Sequence, residues 1–292
     1  MRHVYAILAH ANPTQLARLI DSLLAPASED RVVLHLDVAS SLWKNGRGRF
    51  ESHATGRLTL VDHPTRVIWG HASLVEAQRR LLRAALTQPF DYYHLISGSD
   101  WPIATRDRLN ADIAARSPRR PVHIDLLENR QPARMDDWWF DSRKIVVPGW
   151  PRLTENAQRA QTRLSWSASR WAKAAGIRRQ PFDRQPWLKG SGWFSVPYDA
   201  AVVLERETSR LLDSGRLTFT QCPDEHVAAS ILGRRFADRL EDGRRYIDWS
   251  SGGYHPKLLR HEDRPALERS GAWFARKVDA TIDDFFYALP PF

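Results

Sequence analysis

The chain has one cysteine, Cys222, so no intrachain disulfide can brace it, which suits a reducing compartment. No apolar run approaches the roughly 18–20 residues that a membrane-spanning helix needs. Met1-Arg2-His3 is followed by only a short apolar run, residues 4–9, too brief for a secretory leader. A cytoplasmic protein is expected, soluble or peripheral at the inner membrane face. There is no Gly-x-Ser-x-Gly elbow for a serine hydrolase. Walker loops, the Gly-x-Gly-x-x-Gly fingerprint and Cys/His zinc spacings are absent too. An Asp-x-Asp loop would hold a divalent cation through hard oxygen ligands. Its expected place is the end of a strand at 92–96, and there Ser97-Gly98-Ser99-Asp100 carries one carboxylate. Asp136-Asp137 and Asp283-Asp284 lie in other contexts, so neither a metal nor a cofactor is expected.

What the chain has in quantity is positive charge and tryptophan. Its 43 Lys and Arg against 34 Asp and Glu leave a net charge of +9, which favours a nucleotide, an acidic polymer or an anionic membrane surface as partner. Arginine dominates the surplus and grips phosphate bidentately. No nucleic-acid motif accompanies it, so no nucleic-acid partner is expected. Several of the 12 tryptophans (Trp69, Trp101, Trp138, Trp139, Trp150, Trp249) stand beside Gly, Pro or charged residues, where a ring stacks on a sugar or simply packs.

A hydrophobic fraction of 42% over 292 residues supports a substantial core, read as a single domain over 1–292. Apolar runs at 4–8, 31–37, 66–69, 92–96 and 122–126 read as strands. Helical spacing recurs at 16–24, 73–86 and 106–115, with Ser73 and Glu76 placed as a capping box. This alternation predicts an α/β fold with an open, mostly parallel sheet covered by helices, and ligands at the carboxyl ends of its strands. Residues 10–12, 69–71 and 97–100 fall at those ends. Residues 129–187 are less regular, with loop and edge strand at 136–150 and a helix at 156–175. They read as an insertion forming an acceptor-side wall between a nucleotide-binding half, 1–128, and a catalytic half, 188–292. A strand at 193–196, a helix at 199–212 and a strand at 245–249 follow.

Pro223-Asp224-Glu225-His226 opens a further helix, because Pro and acidic residues favour a first turn. Glu225 is then either a general base held on a rigid element or an ordinary first-turn charge. The small residues of Ser97-Gly98-Ser99-Asp100 and Gly190-Ser191-Gly192 let backbone N–H groups approach a ligand, or merely make tight turns. Lys257, Arg276 and Lys277 either converge on a diphosphate, where cations stabilise a leaving group as a metal would, or form a solvated basic surface.

Seven segments in order resemble the core-2/I-branching β-1,6-N-acetylglucosaminyltransferases and peptide O-xylosyltransferases, glycosyltransferase family 14. They are Tyr5-Ala6-Ile7-Leu8-Ala9-His10, Val67-Ile68-Trp69-Gly70, Leu95-Ile96-Ser97-Gly98-Ser99-Asp100-Trp101-Pro102, Gly190-Ser191-Gly192-Trp193-Phe194, Pro223-Asp224-Glu225-His226, Arg245-Tyr246-Ile247-Asp248-Trp249 and Phe274-Ala275-Arg276-Lys277. The resemblance implies a GT-A-like fold, a UDP-sugar donor carrying GlcNAc or xylose, inversion at the anomeric carbon and no metal. It implies Glu225 as catalytic base, and Lys257 and Lys277, with Arg276, at the donor diphosphate. It places His10, Asn12 and Gln78 on the nucleotide, to which Ser97, Gly98 and Asp100 are added, and leaves Ser191, Gly192, Trp193 and Trp249 for the sugar and acceptor. The acceptor is a glycan, a lipid-linked glycan or a protein hydroxyl, and peripheral contact with an anionic membrane is expected. Animal members carry an anchor, a stem and disulfides; this sequence shows none, so a compact bacterial-type catalytic domain is expected. The competing class is a non-catalytic nucleotide- or carbohydrate-binding protein on the same scaffold.

Overall fold

The computed structural model describes all residues except 25–27, 53–55, 117–118, 140–144, 146, 178, 180–181, 253–254 and 290–292. In chain order the elements are β1 (His3–Ala9), α1 (Pro13–Leu23), β2 (Arg31–Leu36), α2 (Ser41–Ser52), β3 (Leu58–Leu60), α3 (Ala72–Ala85) and β4 (Tyr92–Ser97). Next come β5 (Asp100–Pro102), α4 (Arg106–Ala114), β6 (Val122–His123), β7 (Leu126–Leu127), α5 (Ala133–Asp136) and α6 (Pro151–Ala174). The remainder are β8 (Lys189–Gly190), β9 (Ser195–Pro197), α7 (Tyr198–Asp213), α8 (Asp224–Arg235), β10 (Leu240–Glu241), β11 (Arg245–Ile247), α9 (Arg264–Arg269) and β12 (Phe274–Arg276).

β1 is buried throughout, and apolar from Val4 but for the Tyr5 hydroxyl, because both of its faces are covered. Side chains alternate across a strand. Val4, Ala6 and Leu8 therefore join one core with Val75 and Leu81 of α3 and Ile231 of α8, while Tyr5, Ile7 and Ala9 join another with Leu16 and Leu19 of α1. The main sheet has seven strands in the order β10-β6-β9-β4-β1-β2-β3. β4, β1, β2 and β3 run parallel, and β9 is antiparallel to both β4 and β6. The chain leaves β1 towards β2 and β3, then returns to β4 on the other side. That reversal is a topological switch point, and open α/β sheets bind ligands in the crevice at such a point, here at the carboxyl ends of β1 and β4. A three-stranded sheet, β11-β12-β5, lies beyond the end of β4, and β7 pairs with β8.

Several expectations need correction. Residues 66–69 form no strand; the third strand is β3. The N–H groups of that stretch are taken by side chains: Thr65 donates to His35 Nε2 at 2.9 Å, Val67 to Asp37 at 3.2 Å and Ile68 to the Ser73 hydroxyl at 2.9 Å. Ser73 is thereby engaged backwards and does not cap. His71 caps α3 instead, its Nδ1 accepting from Ser73 N–H at 3.1 Å, and Glu76 pairs with Arg79 and Arg80. The strand expected at 122–126 divides into β6 and β7, because the Asp125 carboxylate turns to accept Gly243 N–H at 2.7 Å. The strand expected at 193–196 is β9, from Ser195, and β11 stops at Ile247. Of the segment 136–150, residues 140–144 and 146 lie outside the described residues, and the rest contains a helical end at Asp136 but no strand. α2 had no counterpart in the sequence reading.

Candidate active site

The crevice at the switch point is built by three chain ends stitched together. His10 directly follows β1, and Asn12 comes next but one in a left-handed conformation (φ 53°), a region Asn tolerates. At the end of β4, Gly98 N–H donates to Leu8 carbonyl at 3.0 Å, and Ser99 carbonyl accepts Val278 N–H at 2.9 Å. A Cβ on Gly98 would stand 3.3 Å from that of Ala9, so the close approach favours glycine. Buried Gln15 ties all three ends: its amide donates to Gly98 carbonyl at 2.8 Å and Val278 carbonyl at 3.3 Å, and its oxygen accepts Ala280 N–H at 2.9 Å. Asn12 donates to Asp279 at 3.1 Å.

Asp100 is buried, and its carboxylate is used internally. It accepts from Ser97 N–H at 2.8 Å and Ser97 hydroxyl at 3.0 Å, and it pairs with Arg276. Ser97 and Asp100 therefore shape the floor, and Arg276 carries its charge to that floor. The same guanidinium lies 4.4 Å from the Trp193 ring centroid, a cation–π contact that covers one face of the indole. Lys277 is different. Its ammonium makes no ion pair or hydrogen bond with a described residue, and it lies within electrostatic reach of His10 and Asp279. Leu259 N–H donates to Lys277 carbonyl at 2.9 Å, which brings the Lys257 segment alongside. Lys257 is paired with Asp263 at 2.7 Å and stands 3.9 Å from Asp248. The Asp263 carboxylate raises the pKa of the Lys257 ammonium above its ordinary value.

The loop before β9 joins this floor to a second cluster. Gly190 fits where no side chain could: a Cβ there would stand 2.6 Å from Asp125 carbonyl and 2.9 Å from Ala229 Cβ. Ser191 N–H donates to Asp125 carbonyl at 2.8 Å, and its hydroxyl accepts Trp193 N–H at 3.1 Å. Buried Gln78 donates to Gly192 carbonyl at 3.5 Å, so it braces this loop. Gly192 lies against Asp224: a Cβ there would be 3.5 Å from the Asp224 carboxylate.

Glu225 sits in the first turn of α8, after Cys222 in a left-handed turn (φ 49°) whose N–H donates to Gly70 carbonyl at 2.7 Å. Its Oε2 accepts from Arg134 at 2.6 Å and lies 3.6 Å from Lys189 Nζ. Oε1 has no partner among the described residues, and the side chain is about one-third exposed, at 31%. Two cations thus hold one oxygen and leave the other available. Neither cation was expected from the sequence. Arg134 is one of many arginines in 129–187, and only contact with Glu225 distinguishes it; Lys189 was visible as the neighbour of Gly190-Ser191-Gly192. Trp69 and Trp249 are exposed, at 54% and 56%, and Trp69 meets His255 edge-on at 6.3 Å. Trp249 makes no ring contact with a described residue. His226 lies beneath the turn, donating through Nδ1 to Leu188 carbonyl at 3.0 Å.

The arrangement provides a carboxylate oxygen on a rigid helix start, a cation at the switch-point crevice, and a Gly192–Trp193 loop that touches both clusters. A family model described as Core-2/I-Branching enzyme matches residues 4–267. Among solved structures, mouse xyloside xylosyltransferase 1 in its apo form aligns with 94% of this chain and 97% of that one at 10% identity, with a TM-score of 0.37, too distant to argue from. No curated protein sequence matches the chain.

Proposed function

The chain belongs to the core-2/I-branching enzyme family and is a glycosyltransferase, and we propose that it transfers GlcNAc or xylose from a UDP-sugar to an acceptor hydroxyl in one inverting displacement. Glu225 Oε1 takes the proton of the acceptor hydroxyl as the acceptor oxygen bonds to the anomeric carbon. The bond from that carbon to the diphosphate oxygen breaks, and its electron pair leaves with UDP. Lys277 stabilises the charge that develops on the departing diphosphate, with Lys257 beside it. His10 and Asn12, at the carboxyl end of β1, border the nucleotide. The half-buried Trp193 and the exposed Trp249 receive the sugar and acceptor.

The observation that carries this reading is the asymmetry at Glu225: Oε2 is held by Arg134 and Lys189, while Oε1 has no described partner. A base must be held in place yet keep a lone pair for the incoming proton. Loss of a positioned base costs about 10²–10⁴ in rate. Glu225→Gln should therefore lose that factor in kcat for sugar transfer while keeping the rise in Tm that UDP gives the native protein. Unchanged turnover in a variant that still binds UDP would reduce Glu225 to a structural partner of Arg134.

A further inference from the structure

Helix α6 is built inside out. A helix lying on a globular core normally turns its apolar stripe inward. Here the only buried residues are Ser165 and Ser169, and Thr154, Gln158 and Thr162 share their side of the helix. Leu153, Ala160, Leu164 and Trp171, spaced by seven, four and seven residues, fall on one line of a 3.6-residue helix, and that line is exposed. Leu164 is 67% and Trp171 77% accessible, and Trp150 adds an exposed indole at the N-terminal end. Arg152, Arg159, Arg163 and Arg170 form a second line with the same spacing, each one residue earlier. Arg152, Arg163 and Arg170 make no ion pair with a described residue, and Glu155 is the only acid on the helix.

We propose that α6 is a membrane-docking surface that lies flat on an anionic lipid bilayer. Apolar and aromatic residues beside arginines, on a helix of low net hydrophobicity, are what an interfacial helix requires. The apolar line enters the acyl boundary and the arginine line meets lipid phosphates. A helix of this length lays about 36 Å along the surface. Charge complementarity selects the bilayer over a second copy of the chain, because self-pairing along this face would set arginine lines against each other. No helix among the described residues is long and apolar enough to cross a membrane, so contact through α6 would be peripheral.

The surface is coupled to Glu225. Lys173 of α6 pairs with Asp137 at 2.6 Å, and Ser169 accepts Trp138 N–H at 3.3 Å. Asp137 directly follows α5, which carries Arg134 to Glu225. A docked α6 would hold this cluster near the lipid surface, and on the transferase reading above it would favour a lipid-borne acceptor.

Flotation of the full chain with vesicles, measured without donor or acceptor, tests docking separately from that reading. The chain should float with vesicles of phosphatidylglycerol and phosphatidylcholine and stay at the bottom with phosphatidylcholine alone. Arg163→Glu with Arg170→Glu should lower partitioning about thirtyfold or more. Leu164→Ser with Trp171→Ser should lower it at least about tenfold. These side chains are exposed, so unchanged thermal unfolding confirms that the variants fold. Docking is overturned if the native chain does not float, or if both variants float as it does. A dimer by light scattering that Leu164→Ser with Trp171→Ser makes monomeric would assign the face to a second copy instead.

Discussion

A carboxylate that must accept a proton gains little from being surrounded by cations on all sides, and Glu225 is not: both cations engage Oε2. Arg134 is then a positioning residue. Arg134→Ala leaves only Lys189, at 3.6 Å, so the carboxylate gains freedom to swing. Loss of geometry of this kind costs about a hundredfold. Sugar transfer should fall by that order in kcat, with UDP affinity unchanged and Arg134→Lys recovering part of the loss. An equal fall in UDP affinity would place Arg134 on the donor instead. Asp100 invites a different test. As the partner of a mostly buried Arg276, its loss strands a charge, and breaking one side of such a pair costs about 3–5 kcal/mol. Asp100→Asn should lower Tm markedly, and added divalent cations should not restore it. Activity of the native protein should survive excess chelator; abolition by chelator with recovery on adding a divalent cation would make Asp100 a metal ligand.

At the scale of elements, the β7–β8 pair and the middle of α8 meet at Gly190. Gly190→Ala would press a methyl to 2.6 Å from Asp125 carbonyl and 2.9 Å from Ala229 of α8. Backbone and helix would have to move, at about 1–3 kcal/mol. A lower Tm, together with reduced transfer because Lys189 and Glu225 shift, is the expected result; a Tm equal to that of the native chain would mean that the loop is slack. Elements with strong local patterns were legible in the sequence. β1, β4, α1, α3 and α7 emerged within a few residues, since continuous apolar runs and helical spacing record burial directly. The segment 66–69 misled because its apolar residues have N–H groups bonded to Asp37 and Ser73, a tertiary choice that no periodicity reveals. α2 escaped because two glycines and little apolar periodicity hide it. The crevice was legible for a topological reason, as the ends of β1 and β4 follow from strand order. Arg134 was not: its partner lies 91 residues away, and nothing local marks one arginine among many.

For the molecule as a whole, the main pH-sensitive feature is a set of histidines sealed in the core. His3, His94 and Ser195 form a chain across β1, β4 and β9: Asn110 to His3 at 2.9 Å, His3 to His94 at 3.0 Å and His94 to Ser195 at 2.8 Å. Arg245 donates to the same Ser195 hydroxyl at 2.9 Å, so the chain ends on a cation that disfavours a charged imidazole. Burial lowers the pKa of His35, His123 and His226 to about 4 and that of His94 well below its ordinary value. These groups bind protons more readily in the unfolded chain, where histidine titrates near about 6.5. Above that pH neither state is protonated and the histidines leave stability unchanged. As pH falls from about 6.5 to about 4, only the unfolded chain gains protons, and each such histidine removes up to about 1.4 kcal/mol per pH unit. Despite partial burial, Asp91 is held below its ordinary range by the Arg2 backbone N–H and by Arg120, and Asp199 by Arg239; both act in the same direction only at still lower pH. Tm measured by circular dichroism should be level between about pH 7 and 8 as far as these groups decide it, then fall steeply below about 6.5. A Tm that stays constant from pH 7 down to pH 5 would show that the buried histidines are not neutral in the native protein.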